Sequence, residues 1–255
     1  MNFLGIIPAR YQSSRFPGKP LAIIDGKSMI RRVWDQASKV MDNVVVATDD
    51  QRIKDEVDSF GGNVVMTNSD HQSGTDRCAE AVDIFQKING LKIDVVINIQ
   101  GDEPFIDPKQ ISQLIEVFQD RNICIATLIK KITDYQSLFD PNEPKVVIDQ
   151  DYYANYFSRA CIPYNSKKKE KSWLKHHTYF KHIGMYGYTN KTLQEVSHLE
   201  KTPLEEIESL EQLRWLETGY RIKCLETEID TLSVDSVADL ENMREKGFLK
   251  EFNLP

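Results

Sequence analysis

The residues with the strongest chemical character sit near the start of the chain. Between a short apolar run that ends at Ile7 and the first acid at Asp25, the sequence carries Arg10, Arg15 and Lys19, with the hydroxyls of Ser13 and Ser14 and a glycine at Gly18. Three cations without one carboxylate, in a chain of net charge −7, make a local receiver for an anion. Hydroxyl donors and a glycine that allows close backbone approach suit a polyphosphate. A surface loop with three solvated cations is the bland alternative, and their concentration in an acidic protein argues against it. The loop fits neither G-x-x-x-x-G-K-[ST] nor G-x-G-x-x-G, so the Walker-type and dinucleotide-binding readings fail on spacing.

Other residues could work with such a loop. Gln100-Gly101-Asp102 follows an apolar strand pattern, which would project the Asp102 carboxylate at the same sheet edge. Magnesium is usually held by one or two carboxylates plus the phosphates themselves, although an aspartate after a strand is also a common turn former or helix cap. His71-Gln72-Ser73-Gly74-Thr75-Asp76-Arg77 brings amide, hydroxyl and guanidinium groups to the start of a helical pattern, with Ser73 or Thr75 as its cap. Asp235 stands just before a last helical pattern, where a plain N-cap is the simplest role. Over residues 204–215 helical spacing puts Glu211 between Leu204 and Ile207 and one turn before Trp215, so a carboxylate interrupts an apolar stripe. Glu208 shares that stripe, and Arg214 could pair with either. His176 and His177 are adjacent and would face opposite sides of a strand, a poor metal pair, and the lysines of residues 167–171 read as a solvated loop.

These residues need a scaffold that gathers strand ends. Short apolar runs over 3–7, 44–47, 64–66, 95–99 and 123–129 alternate with amphipathic stretches, the pattern of βα units on a mainly parallel sheet. Met29, Ile30, Val33, Trp34, Ala37, Val40 and Met41 recur at helical spacing between the first two. From about 130 to 190 the prolines and short β-like runs suggest a β-rich insertion. A helical pattern over 204–217, a strand over 222–227 and a helix opening near Asp235 return to the α/β core. A single domain over 1–255 is expected, since 255 residues lie between one and two typical domains and no repeat is visible.

With 40 % hydrophobic and 28 % charged residues the chain is that of a globule. Its negative charge disfavours nucleic acid and anionic membranes as partners. The four cysteines have no zinc spacing, and neither a signal segment nor a membrane span is visible, so a reducing, cytoplasmic setting is expected.

The runs Ile6-Ile7-Pro8-Ala9-Arg10, Arg15-Phe16-Pro17-Gly18-Lys19-Pro20-Leu21, Asp70-His71-Gln72-Ser73-Gly74-Thr75 and Asn98-Ile99-Gln100-Gly101-Asp102-Glu103-Pro104 resemble the 3-deoxy-manno-octulosonate cytidylyltransferases, or CMP-Kdo synthetases. The resemblance extends in order and spacing from Phe3 to about Met243. It implies a nucleotide-diphospho-sugar-transferase-like α/β fold, with the insertion supporting a homodimer and closing over the sugar. It also implies coupling of CTP to 3-deoxy-manno-octulosonate (Kdo) with release of pyrophosphate, the activation of Kdo for lipopolysaccharide. Ala9, Arg10, Ser13, Arg15, Lys19, Ser73, Gly74, Arg77 and Gln100 would bind the nucleotide, with Lys19 and Arg15 also catalytic. Asp102 and Asp235 would hold Mg²⁺. Arg159, His182, Tyr186, Glu211 and Gln212 would bind the sugar, Arg159 forking onto its carboxylate. Rival readings are a cytidylyltransferase for an acylneuraminate or amino-substituted sugar acid, and a catalytically silent nucleotide-binding module.

Overall fold

In the computed structural model of the chain, residues 1–13 and 16–255 are described. The strands are β1 (Phe3–Ala9), β2 (Ile23–Ile24), β3 (Lys27–Ser28), β4 (Val44–Thr48), β5 (Val64–Met66), β6 (Val95–Asn98), β7 (Ile125–Lys131), β8 (Lys145–Ile148), β9 (Ala154–Ser158), β10 (Phe180–Thr189), β11 (Ile222–Glu226) and β12 (Phe252–Asn253). The α-helices are α1 (Met29–Ala37), α2 (Gln51–Ser59), α3 (Gly74–Asn89), α4 (Pro108–Val117), α5 (Tyr135–Phe139), α6 (Asn190–Ser197), α7 (Pro203–Glu208), α8 (Gln212–Glu217) and α9 (Val237–Glu245).

The central sheet runs β11-β7-β10-β6-β1-β4-β5, and β1 pairs in parallel with both β4 and β6. All residues of β4 and β6 are buried, as expected for strands covered on both faces by crossover helices. Alternation divides the core. Leu4 and Ile6 pack with Val45 and Ala47 on one face, whereas Ile7 packs with Val44 and Val46 on the other. Helix starts are fixed by side chains: Ser28 caps α1, Asp50 caps α2, and Asp107 caps α4 with Pro108 behind it.

The 130–190 segment, read from the sequence as a β-rich insertion, is built into the central sheet. Near its end Phe180–Thr189 forms β10, an antiparallel strand in the middle of the sheet, between β6 and β7. Strands β8 and β9 extend the same sheet from one end of β10. The sequence shows β character here but no pairing partner, because along most of its length β10 bonds to β7 and β6, 49 to 94 residues away.

The helix expected over 204–217 is two helices. Ser209 adopts the left-handed conformation at φ 51°, ending α7, and the phase of the stripe is lost: Ile207 is 81 % exposed. Arg214 resolves the pairing by choosing neither Glu208 nor Glu211. Its Nε and Nη2 donate to the two carboxylate oxygens of Glu205 at 2.7 Å each, and Nη1 donates to Leu199 O at 2.8 Å. Both side chains of this fork are at least nine-tenths buried, so it clamps α7 to α8.

Removing one partner of such a pair strands a buried charge, at a cost of roughly 3–5 kcal/mol. Glu205→Ala should therefore lower Tm by about 6–20 °C in calorimetry, given about 2–4 °C per kcal/mol for a chain of this size. A change of under about 1 °C would contradict the clamp.

Candidate active site

The carboxyl ends of β1, β5 and β6 point the same way, which places the loops after them around one cleft of about 250 Å³. Pro8, Ala9, Arg10, Ser13 and Lys19 line it from the first loop. Gln100, Gly101 and Asp102 line it from the β6 end, Ser73, Gly74 and Arg77 from the start of α3, and Asp235 from the far side. Every nucleotide candidate within the described residues is therefore gathered there. Arg15 lies outside the described residues.

Gly18 shapes the first loop. It sits at φ 72°, its N–H closes the loop onto Tyr11 O at 2.9 Å, and Pro20 follows in a 3₁₀ turn that carries Lys19. Asp25, the acid nearest this loop in sequence, is occupied elsewhere. Its N–H donates to Glu251 O, its Oδ1 accepts from Lys250 and Glu251 N–H, and Arg32 lies 3.4 Å from its Oδ2. The backbone bond to Glu251 is the leading cause holding this carboxyl below its usual range.

Lys19 is the meeting point of the charges. Its Nζ lies 2.7 Å from Asp102 Oδ2 and 3.6 Å from Asp235 Oδ1. The approach of the two acids, which the sequence left open, comes through the backbone: Val234 N–H donates to Asp102 O at 2.8 Å. Asp235 is not the helix cap. Ser236 caps α9 in a box with Asp239. Gly101 lets the β6 loop pass close to β1, because a Cβ there would stand 2.9 Å from Pro8 O. Glu103, beside Asp102, is buried, and burial with the neighbouring Asp102 charge pushes its carboxyl up to about 8. It is thus protonated at neutral pH and adds no third negative charge.

Two carboxylates converging on one cation fit a hard divalent ion. Asp102 and Asp235 together are the one or two acidic ligands that such an ion takes when phosphates supply others.

At the start of α3, Ser73 caps the helix in a box with Asp76. Arg77 is buried, donating from Nη1 to Thr67 Oγ1 at 2.6 Å, with Nη2 3.4 Å from Asp49. Asp49 had no mark in the sequence beyond its place after a strand. Thr75, likewise unmarked except as a possible cap, donates its hydroxyl to Glu211 Oε2 at 3.1 Å, joining α3 to the sugar candidates.

Four of the five sugar candidates cluster behind that helix, Tyr186 and Gln212 buried and His182 and Glu211 half-buried. The rings of His182 and Tyr186 are 5.2 Å apart, and Tyr186 meets Trp215 edge-on at 5.0 Å. A register shift between Ile183 and Tyr186 bulges β10 and re-aims these side chains, and Gln100 Nε2 donates to Gly184 O within the bulge at 3.0 Å. Glu211 Oε1, Gln212 Nε2, Tyr186 Oη and Tyr188 Oη are buried without a partner among the described residues. So many unsatisfied groups in one place mark a spot prepared for a polar ligand. Burial pushes the Glu211 carboxyl up.

Arg159 stands apart. Its Nε, Nη1 and Nη2 donate to Glu208 O, Pro141 O and Ser209 O at 2.8, 2.9 and 3.3 Å, and it does not line the cleft. The two guanidinium hydrogens outside these bonds are what it retains for a carboxylate. Glu208, weighed against Glu211 in the sequence, instead accepts from Ser158 Oγ and from Arg159 N–H.

Thr127 Oγ1 donates to Met185 O at 2.8 Å, so the 3.0 Å contact with His182 Nε2 assigns that nitrogen the proton and leaves Nδ1 as an acceptor. Burial pushes the His182 pKa down to about 3. The unfolded chain takes this proton first, so the contribution to stability declines as pH falls from about 6.5 toward about 3. In NMR the His182 ring carbons should not titrate between about pH 5 and 8; a midpoint near 6.5 would contradict this enclosure.

Comparison with known proteins adds the family. Residues 4–223 match the family model described as Cytidylyltransferase. The 3-deoxy-manno-octulosonate cytidylyltransferase of Parabacteroides distasonis is 54 % identical over 245 residues, covering 94 % of this chain and 96 % of the relative. The 8-amino-3,8-dideoxy-manno-octulosonate cytidylyltransferase of a Shewanella species is 47 % identical over 251 residues, covering 96 % and 98 %. A solved structure of CMP:2-keto-3-deoxy-manno-octonic acid synthetase complexed with CTP matches with a TM-score of 0.87 at 39 % identity, covering 96 % of this chain and 98 % of that one.

Proposed function

The chain belongs to the 3-deoxy-manno-octulosonate cytidylyltransferase family, and from that premise we propose how its cleft works. The reaction is CTP plus Kdo giving CMP-Kdo and pyrophosphate. The anomeric hydroxyl of the sugar attacks the α-phosphorus in line, so positioning and charge stabilisation carry the chemistry and no enzyme nucleophile is needed.

The observation that carries the assignment of roles is the convergence of Lys19, Asp102 and Asp235 at the strand edge that also presents the start of α3. Arg10, Ser13, Arg15, Lys19 and the Ala9 backbone hold the triphosphate. Ser73, Gly74, Arg77 and Gln100 hold the rest of the nucleotide. Lys19 offsets one of the two carboxylate charges while the cleft is without substrate, and its ammonium turns to phosphate oxygens as the nucleotide arrives. Asp102 and Asp235 are the residues to hold Mg²⁺, which when bound supplies charge neutralisation at the phosphate and polarises the attacking hydroxyl. Glu211 and Gln212 offer an acceptor and a donor to sugar hydroxyls, His182 offers Nδ1 as an acceptor, and Tyr186 adds its hydroxyl. The two remaining hydrogens of Arg159 meet the sugar carboxylate.

A homodimer through the 130–190 segment is part of this reading. The exposed rings of Tyr164, Phe139 and Tyr135 on that segment support it. No helix among the described residues is long and apolar enough to cross a membrane.

The Shewanella relative favours a second reading, an 8-amino sugar as substrate. Pyrophosphate release measured with CTP, Mg²⁺ and each sugar acid separates the two: the present reading expects the highest kcat/KM with Kdo, and a higher value with the 8-amino sugar overturns it. Asp102→Asn and Asp235→Asn should each lower kcat by roughly two orders of magnitude or more at saturating Mg²⁺, because metal charge stabilisation is worth several kcal/mol. Near-normal turnover in either variant would remove that residue from the site.

A further inference from the structure

Two lysines face each other across the central sheet. Lys130 of β7 and Lys181 of β10 are direct register partners, so they lie on one face of the ladder. Like charges placed opposite in this way repel unless an anion stands between them. Asp230 is that anion: its Oδ2 lies 2.7 Å from Lys130 Nζ and its Oδ1 3.0 Å from Lys181 Nζ, one oxygen for each lysine. Glu143 completes the charge balance at 3.1 Å from Lys181.

Asp230 belongs to the stretch between β11 and α9, residues 227–236, which forms neither helix nor strand. Such a stretch keeps its place by separate fastenings. Thr227 N–H donates to Ile129 O at 2.9 Å, Gln110 Nε2 donates to Ile229 O at 3.2 Å, and Val234 N–H donates to Asp102 O at 2.8 Å. Between Ile229 and Val234 the Asp230 carboxylate is the link to the sheet, and Asp235 follows directly after Val234. The two lysine side chains are 18 % and 15 % exposed while that of Asp230 is 51 % exposed, so solvent screens the contacts in part.

We propose that Asp230, gripped by Lys130 and Lys181, is a positioning residue that sets the distance of Asp235 from Asp102 and thereby the affinity of the cleft for its divalent cation. This rests on the metal-holding role of Asp235 given above. Asp230 does not line the cleft, so its effect is on the metal.

The test uses the full chain with saturating CTP and Mn²⁺ as the probe, free Mn²⁺ being read by EPR, alongside steady-state kinetics. Asp230→Asn keeps the shape and removes the charge, Lys130→Met removes one grip, and Asp230→Glu restores the charge. Asp230→Asn and Lys130→Met should each weaken Mn²⁺ binding roughly three- to tenfold, the effect of one or two partly screened ion pairs. Asp230→Glu should recover most of the loss. At saturating metal, kcat should return to within about twofold of the unaltered enzyme and the sugar KM should stay unchanged, a split that general loosening of the fold would not give. Unaltered Mn²⁺ binding in Asp230→Asn, beside an inactive Asp235→Asn, overturns the positioning role alone. A near-normal Asp235→Asn overturns the metal assignment itself. Loss of the folded circular-dichroism signal in both Asp230→Asn and Lys130→Met would make the cluster a stability element and also overturn the proposal.

Discussion

Asp102 and Asp235 bring two negative charges to one end of a sheet, and Lys19 stands between them. Bringing like charges together is unfavourable without an intervening cation, and much of the surrounding structure serves that arrangement. Gly18 and the 3₁₀ turn after it deliver Lys19, and Gly101 lets Asp102 approach the β1 end. Val234 ties the Asp235 segment to the Asp102 backbone. Glu103 is kept uncharged by burial, and Asp25 is engaged by Arg32 and the C-terminal backbone, so neither cancels the basic loop. The outcome is a cleft in which a divalent cation and a polyphosphate can take over contacts that the protein otherwise makes with itself.

The sugar half follows a different rule. Its groups are buried or half-buried and several lack partners, a state that costs folding energy and is restored by a ligand rich in hydroxyls. The rigid parts around it make that state tolerable. The Glu205–Arg214 fork holds α7 to α8, so Glu211 and Gln212 have fixed positions, and Thr75 connects Glu211 to the helix that opens on the nucleotide. Thr75, which bonds Glu211, therefore lies on the same stretch, residues 73–77, as the nucleotide candidates Ser73, Gly74 and Arg77, an arrangement that under the proposed roles favours in-line geometry between the two reactants.

Much of this was legible in the sequence where the signal is local. Apolar runs marked β4, β5 and β6 almost to the residue, because strands buried on both faces or alternating in and out write that pattern directly. The uncompensated cations of the first loop marked the cleft. What was hidden depends on distant pairing. Nothing local says that β10 enters the middle of the sheet, or that Ser209 takes a left-handed conformation and breaks the expected helix. The partner of Arg214 could not be chosen by periodicity once that phase was lost. Asp235 reads as a helix cap until the Val234 bond and the Ser236 box are seen. Arg159 shows the limit in the other direction, since a guanidinium assigned by resemblance to a ligand spends three donors on backbone carbonyls here.

The central claim is that Lys19 occupies the place between Asp102 and Asp235 that a divalent cation takes when the nucleotide binds. Anomalous diffraction from crystals of the enzyme with CTP and Mn²⁺ tests it most directly. The account predicts an anomalous peak in contact with both Asp102 and Asp235, with Lys19 Nζ moved away from Asp102 onto phosphate oxygens. A peak that touches neither carboxylate, or a Lys19 still paired with Asp102 beside bound nucleotide, would contradict it.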